Sequence, residues 1–353
     1  MNRRCLFSGI LTTVAVLAGL SSIPFSRAAA PVAEKAAAST ATSVKKPKPP
    51  VAPFVPGSWT IAVMPDIQHY STYYPGLTRL QTQWIAEHKE KYNIVYVLQL
   101  GDLTNFNSEK EWERASRGMA VLDGVVPYAI VPGNHDYSSG SPPRDRLSTR
   151  INDYFPVHRF QKWTTFGGTM EPGRIENNYH LFEAGGRKWI IIGLEFGPRD
   201  HVLTWADSIL RKHADRTAII ITHAYLCYDG TRFDWAAKGM KQTGNPHKYE
   251  VPGGVNDGEE MWNKLVRKHA NVFLVMNGHV PDDGLGFQTS GGDHGNLVNE
   301  MVVNFQRLPV RGGGWLRLIE FHPDGKTIQA KTYSPFYEEY NTSEDNQFIF
   351  SLE

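Results

Sequence analysis

Five short motifs in this chain supply carboxylate, amide and imidazole groups, the donors that a divalent cation takes. They are Met64-Pro65-Asp66-Ile67-Gln68, Gly101-Asp102-Leu103-Thr104-Asn105, Gly133-Asn134-His135-Asp136, Thr222-His223 and Gly278-His279. Each closes or follows an apolar run, at 60–64, 95–98, 128–131, 218–221 and 272–276 respectively. Taken singly, each motif has a plainer reading. An Asp after a strand is often a turn former or helix cap, and a lone His at a strand end is more often a satisfied histidine. Five such ends converging with Asp, Asp, Asn, His and His make a preformed cation cage, because open α/β sheets bind ligands outside the carboxyl ends of their strands.

The elements that must position these groups are legible as periodicity. The apolar runs are continuous rather than alternating and rich in Ile and Val, which fits strands covered on both faces. Between them Leu77, Leu80, Trp84, Ile85 and His88 recur at helical spacing, as do Trp112, Ala115, Met119 and Leu122. Met261, Trp262, Leu265, Val266 and His269 form a third stripe, preceded by Asp257 and Glu260 at capping-box spacing. Strand and helix in alternation predict an α/β domain. Later segments, 188–194, 301–305, 315–322, 328–333 and 348–352, are strand-like with few helices between them. Asp324-Gly325 marks a hairpin between two of these. This part of the chain predicts a second, largely antiparallel sheet packed on the first.

The ordered set Asp66, Gly101-Asp102, Gly133-Asn134-His135-Asp136, His223, Gly278-His279 resembles the calcineurin-like metallophosphoesterase superfamily, over about residues 59–335. That resemblance implies a four-layer α/β/β/α sandwich with two central mixed sheets and a metal site at the strand C-terminal ends. It implies that Asp102 bridges two metals, that Asn134, His223 and His279 complete the second site, and that Asp66 belongs to the first. His135 matches the family's catalytic histidine, close to the metals and available to bind phosphate or protonate the leaving group. Asp136 would orient His135 or the adjoining loop. Two departures concern the first site. Gln68 stands where the family usually has His, and Pro281 stands where the last motif usually has a second His. Gln68 retains an amide oxygen as a ligand, and Asn105 stands where some members place another. The expectation is a tight second site and a weaker, oxygen-rich first site, holding one or two divalent ions, Mn, Zn or Fe.

The implied activity is hydrolysis of phosphomonoesters or phosphodiesters by a metal-activated hydroxide, on a small-molecule or polymeric substrate. The alternative is a metal-stabilised binding protein with vestigial catalysis, motivated by the two missing imidazoles. Long loops at 137–176 and 224–256 are where substrate choice must be made. The second loop carries Tyr225, Tyr228, Phe233 and Trp235 with Arg232, Lys238 and Lys241, read either as a ring-binding surface or as the loop's own anchor. Asn105 and Arg199 are candidates for touching substrate, Arg199 on the condition that the end of run 188–194 faces the metals.

Composition sets the outer bounds. Basic and acidic residues number 37 and 36, so net charge provides no electrostatic case for nucleic acid or an acidic membrane. Residues 1–28 read as an export signal: Arg3 and Arg4 precede an apolar stretch at 6–20, with small residues around Ser26 and Ala28. Asn2-Arg3-Arg4-Cys5-Leu6-Phe7 also resembles a twin-arginine signal, with the ordinary secretory route as its rival. The expected location is the periplasm or the exterior, with no membrane span after the signal is removed. Residues 29–56, rich in Ala, Ser, Thr, Lys and Pro, read as a flexible linker, and 57–353 as the catalytic domain. Cleavage leaves Cys227 as the only cysteine, so neither an intramolecular disulfide nor a Cys-based zinc cluster is available.

Overall fold

The computed structural model describes residues 49–137, 145–249, 251–280 and 284–352. The export signal, most of the linker, residues 138–143 and Pro281 lie outside the described residues. The linker's last residues are already tied to the domain. Ala52 N–H donates to Gln347 Oε1 at 2.8 Å, Val55 N–H to Glu320 Oε1 at 2.7 Å, and Phe54 stacks on Tyr92. The packed domain therefore starts before residue 57, because Phe54 has an aromatic surface to cover.

The strands are β1 (Trp59–Met64), β2 (Ile94–Gln99), β3 (Tyr128–Ile130), β4 (Phe166–Thr169), β5 (Asn178–Ala184), β6 (Arg187–Gly193) and β7 (Thr217–Ile221). They continue as β8 (Val272–Asn277), β9 (Leu285–Gly291), β10 (Leu297–Val303), β11 (Leu316–Phe321), β12 (Thr327–Ser334), β13 (Glu339–Asn341) and β14 (Phe348–Ser351). One sheet runs β13-β12-β11-β1-β2-β3, with β14 also on β12. The other runs β4-β5-β6-β7-β8-β10-β9. The late strands therefore do not make an antiparallel sheet of their own, as their spacing suggested. β11 pairs antiparallel with β1, while β10 lies parallel to β8. Both sheets are mixed: β1, β2 and β3 are parallel in the first, and β6, β7, β8 and β10 in the second.

The alternation along each strand shows why the runs are continuously apolar. Ile61 and Val63 of β1, with Tyr96 and Leu98 of β2, face a core shared with Ile191, Ile219, Ile221 and Met276 of the other sheet. Ala62 and Met64 point the other way, onto Trp84, Ile85, Trp112 and Met119 of the helices Pro75–His88 and Glu109–Met119. In the second sheet Ile190, Ile192 and Ile220 face Val202, Leu210, Met261 and Trp262 of the helices Asp200–Lys212 and Gly258–Lys264. Helix, sheet, sheet, helix is the four-layer sandwich. The capping box expected at Asp257 forms, with Asp257 Oδ1 accepting from Glu260 N–H and Glu260 Oε2 accepting from Asp257 N–H. The third stripe is not one helix, however. Leu265 leaves helical geometry, and a short 3₁₀ turn carries Val266.

Two buried cations interrupt the apolar layers. Lys331 pairs with Glu320. Among the described residues Arg317, 1% exposed, donates to the Asp345 carbonyl and Met301 Sδ and lies 5.5 Å over the Phe348 ring, and its Nε has no hydrogen-bond partner. No helix among the described residues is long and apolar enough to cross a membrane.

Candidate metal centre

The strand ends deliver their motifs to one place. Asp66 follows β1, Asp102 follows β2, Asn134 and His135 follow β3, His223 follows β7, and His279 follows β8. Oxygen or nitrogen atoms of Asp66, Asp102 and His223 lie within 4.8 Å of one another. His223 Nε2 is 3.2 Å from Asp102 Oδ1, and His279 Nδ1 is 3.2 Å from His223 Nε2. The site bridges the two sheets. His279 N–H donates to Asp66 Oδ1 at 3.1 Å, and His223 Nδ1 donates to the Leu100 carbonyl at 2.7 Å.

The hydrogen bonds fix both tautomers. A carbonyl only accepts, so His223 carries its proton on Nδ1, and His279 carries its proton on Nε2, 2.7 Å from the Gly244 carbonyl. The remaining nitrogens, His223 Nε2 and His279 Nδ1, then present two lone pairs to each other beside a buried carboxylate. Such an arrangement is repulsive unless a cation or a proton sits among them. With neither metal nor neutral partner, Asp102 and Asp66 drive His223 toward protonation, its pKa rising to about 9 despite burial.

Three further observations fit a cation. Asn134 Oδ1 and Gln68 Oε1 are buried without a hydrogen-bond partner, which is costly for amide oxygens and suits ligands. Glycines also crowd the ligand groups. A Cβ on Gly133 would lie 2.0 Å from Asp102 Oδ1, one on Gly278 2.2 Å from Asp66 Oδ1, and one on Gly101 2.5 Å from His223 Nδ1. Finally, Asp102 and His279 hold left-handed φ values of 50° and 73°, conformations that non-glycine residues keep mostly where function requires them. Asp102, Asn134, His223 and His279 would hold one ion, and Asp66, Gln68 and Asp102 a second. Asp66 is the more occupied carboxylate, since Asn304 Nδ2 and Gln306 Nε2 also donate to it, at 2.8 and 3.4 Å.

His135 lies at the wall of an open cavity of about 370 Å³ beside these groups. Its backbone N–H donates to Asp102 Oδ1, and its Nδ1 donates to the Asn105 carbonyl at 2.8 Å, leaving Nε2 for the cavity. Asp136 makes no bond to the His135 ring. It accepts from the N–H groups of Leu103, Thr104 and Gly133 and from Thr104 Oγ1, and so ties the Asp102 loop to the Asn134 loop. Of the two roles expected of it, the geometry fits holding the adjoining loop, not orienting the His135 ring. Asn105 lines the cavity.

Arg199 does not join the group. Glu195, which follows β6, holds its Nε and Nη2 at 2.8 and 3.0 Å and also pairs with Arg146, in a separate small cavity. A carboxylate at that strand end captures the guanidinium before it can reach a phosphate. His247 is engaged by Glu260, and exposed His294 by the Lys268 carbonyl. In the 224–256 loop Arg232, Tyr225 and Phe233 act as an anchor, while Tyr228 and Lys241 are exposed and Tyr249 lines the cavity. Arg232 pairs with Glu300 and Glu259 and stacks on Trp262, while Tyr225 and Phe233 are buried. Cys227 is a buried free thiol.

Sequence reasoning missed the contribution of β10. Asn304, Gln306, Arg307 and Arg311 follow it into the site, Gln306 accepting from Gln68 Nε2 at 2.6 Å. The signal was present, because run 301–303 ends in polar groups just as the five recognised runs do.

Residues 60–292 match the family model of the calcineurin-like phosphoesterases. The uncharacterized protein YvnB of Bacillus subtilis (strain 168) is 30% identical over 295 residues, 80% of this chain and 20% of YvnB. Among solved structures, the yellow lupin purple acid phosphatase PPD1 is similar at a TM-score of 0.50 and 13% identity, over 83% of this chain and 54% of that one. GAP50 of Plasmodium is similar at 0.47 and 8%, over 83% and 88%. The chain thus spans about a fifth of its curated relative and about half of the lupin enzyme. Strand ends from two mixed sheets meeting on a carboxylate, amide and imidazole cage, together with a family match over most of the packed domain, place this chain in the calcineurin-like phosphoesterase family.

Proposed function

We propose that the chain is a metal-dependent phosphoesterase acting on phosphomonoesters or phosphodiesters. One observation carries the reading: two imidazole lone pairs converge 3.2 Å apart over Asp102, with the orphaned Asn134 oxygen nearby, at the foot of a cavity walled by His135. A bound divalent ion supplies Lewis-acid polarisation of the ester and lowers the pKa of bound water toward ~7. The chain's own residues do the rest. Asp102, Asn134, His223 and His279 hold the ion, and the Leu100 and Gly244 carbonyls fix the ring orientations. His135, with Nδ1 committed to Asn105, offers Nε2 to bind the phosphate or to give a proton to the leaving oxygen. A pure binding role gives that nitrogen no task.

The test uses the full chain, stripped of metal and reloaded separately with Mn²⁺, Zn²⁺ or Fe²⁺, with p-nitrophenyl phosphate and its bis ester as substrates. His135→Ala should lower turnover by roughly 10²–10⁴-fold while metal content stays unchanged. Equal turnover in the variant would refute the role of His135, and no turnover with any metal would refute the phosphoesterase. We also propose export, supported by the Arg3-Arg4 pair and the apolar stretch that follows. Recovery of the protein with cytoplasmic markers, its N-terminus uncleaved, would sink that part.

A further inference from the structure

The cavity beside the metal ligands is also lined by two arginines that no carboxylate among the described residues pairs with. They are Arg307 and Arg311, both exposed, on the segment that follows Gln306. Neither guanidinium has an ion pair or hydrogen bond among the described residues; Arg311 has only the Tyr73 ring, 5.5 Å away. Arg146, Arg199 and Arg232, by contrast, are each held by a carboxylate and are more buried.

The backbone that presents Arg311 is strained. Val310 and Arg311 have φ/ψ of 56°/32° and 56°/37°, and Gly312, Gly313 and Gly314 follow with φ of 115°, 47° and 68°. A left-handed β-branched valine is a costly conformation that persists only where its surroundings impose it. Here Gly312 N–H is bonded to the Leu308 carbonyl and Gly314 N–H to Tyr70 Oη, so the turn is held at both ends. The outcome is an exposed guanidinium lining the cavity, held there at conformational expense.

Resting on the phosphoesterase reading, we propose that Arg307 and Arg311 form a second anion subsite, and that the preferred substrate carries a second phosphate besides the scissile one. A single phosphate seated on the ions leaves two guanidinium groups unmatched. A second phosphate matches the planar fork of arginine donors bidentately. A cavity of about 370 Å³ is within the range that takes a small organic ligand rather than one anion alone. The second phosphate belongs to a small bisphosphate or to the neighbouring unit of a polymeric diester.

The test compares kcat/KM for propane-1,3-diyl bisphosphate with that for propyl phosphate, and for thymidylyl-thymidine with and without a terminal phosphate, using the metal-loaded full chain. The wild type should favour the doubly phosphorylated member of at least one pair by roughly ten- to hundredfold, the worth of one or two charge-assisted hydrogen bonds. The pair that shows the preference identifies the source. Arg311→Gly should collapse the preference. Because glycine suits a left-handed φ, its melting temperature should equal or exceed that of the wild type, which excludes misfolding as the cause. Arg307→Ala should act in the same direction, and Arg307→Lys should restore part of the preference. No preference in either pair overturns the subsite, as does an equal loss on both members in the variants, which would instead mean that the arginines grip the scissile phosphate. Absence of metal-dependent hydrolysis of every substrate refutes the phosphoesterase reading itself, and the subsite with it.

Discussion

Gly133→Ala isolates the steric tolerance of the metal cage. Gly133 has φ −95° and ψ −179°, an extended conformation that alanine adopts freely, so the substitution adds no backbone strain. The added methyl, however, would stand 2.0 Å from Asp102 Oδ1 and 2.4 Å from the Asp102 backbone nitrogen. Real contacts of this kind stay above 3.0 Å, so the carboxylate must withdraw by about 1 Å (3.0 − 2.0). Metal–ligand distances tolerate only ~0.2 Å. The forced shift should cost about 1–3 kcal/mol of stability as overpacking, and a misplacement of that size typically costs ~10²-fold in rate. Calorimetric titration of the stripped protein with Mn²⁺ and Zn²⁺, urea melts and p-nitrophenyl phosphate turnover measure the three effects. Gly76→Ala is the control. It sits in the helix Pro75–His88 with nothing within 4 Å of its Cβ, and should gain ~0.5–1 kcal/mol with activity unaltered. A Gly133→Ala protein with wild-type metal affinity and turnover would falsify the assignment of Asp102 as the central ligand.

Asn134→Ala should leave the metal-free protein within about 1 kcal/mol of wild type, because Asn134 Oδ1 accepts nothing there. Metal affinity should fall by more than the roughly 10–100-fold that losing an outer-shell partner costs; melts with and without metal separate the two effects. Arg317→Met should stabilise the fold by roughly 1–4 kcal/mol in urea titrations, since it removes a buried cation that has no salt bridge among the described residues and whose desolvation the nearby Asp345 charge offsets only in part; a destabilised variant would mean that the Asp345 contacts outweigh the desolvation. His180 is buried, its pKa pushed down from 6.5 to about 3. Its folded value lies below the unfolded one, so the stability it allows is full above pH 6.5 and is lost as pH falls toward 3, by up to ~1.4 kcal/mol per unit. His180→Gln should flatten that part of the profile, and an unchanged slope between pH 7 and 5 would refute the cause.

What the chain discloses before folding follows from what kind of information each feature needs. β1, β2, β3, β7 and β8 were legible because strands covered on both faces carry no polar alternation to disguise them, and the motifs after them could be aligned in order. The partition of strands between sheets was not legible. The run at 315–322 reads the same whether it pairs with β1 or with a neighbour in sequence, and only the antiparallel register Trp59 to Phe321 decides it. Arg199 could be read only conditionally for a similar reason: the pairing with Glu195, four residues earlier, depends on how the loop after β6 turns. Gln68 was recognised as a departure from the family pattern, but its partner Gln306 lies 238 residues away, and periodicity says nothing about pairings of that reach. For Asp136 the sequence left two roles open, orienting His135 or the adjoining loop, and only the folded loops decide it: its oxygens are spent on backbone amides and the Thr104 hydroxyl.

The seating of β11 between β1 and β12 has a consequence for biogenesis. β1 gains β2 within some forty residues of synthesis, but its other edge stays open until residues 316–321 have left the ribosome. A nascent chain therefore carries a bare, apolar strand edge for most of its translation, which is the kind of surface on which unfinished chains stick to one another. Asp66 waits as well, because Asn304 and Gln306 bond to it only once the chain is nearly complete. An amino-terminal fragment can hold every candidate ligand, yet it cannot finish the first sheet or supply the Asn304 and Gln306 bonds that fix Asp66. Truncation after β10 should leave a species that does not stay soluble, and a holding chaperone would have its clearest client in the half-made chain.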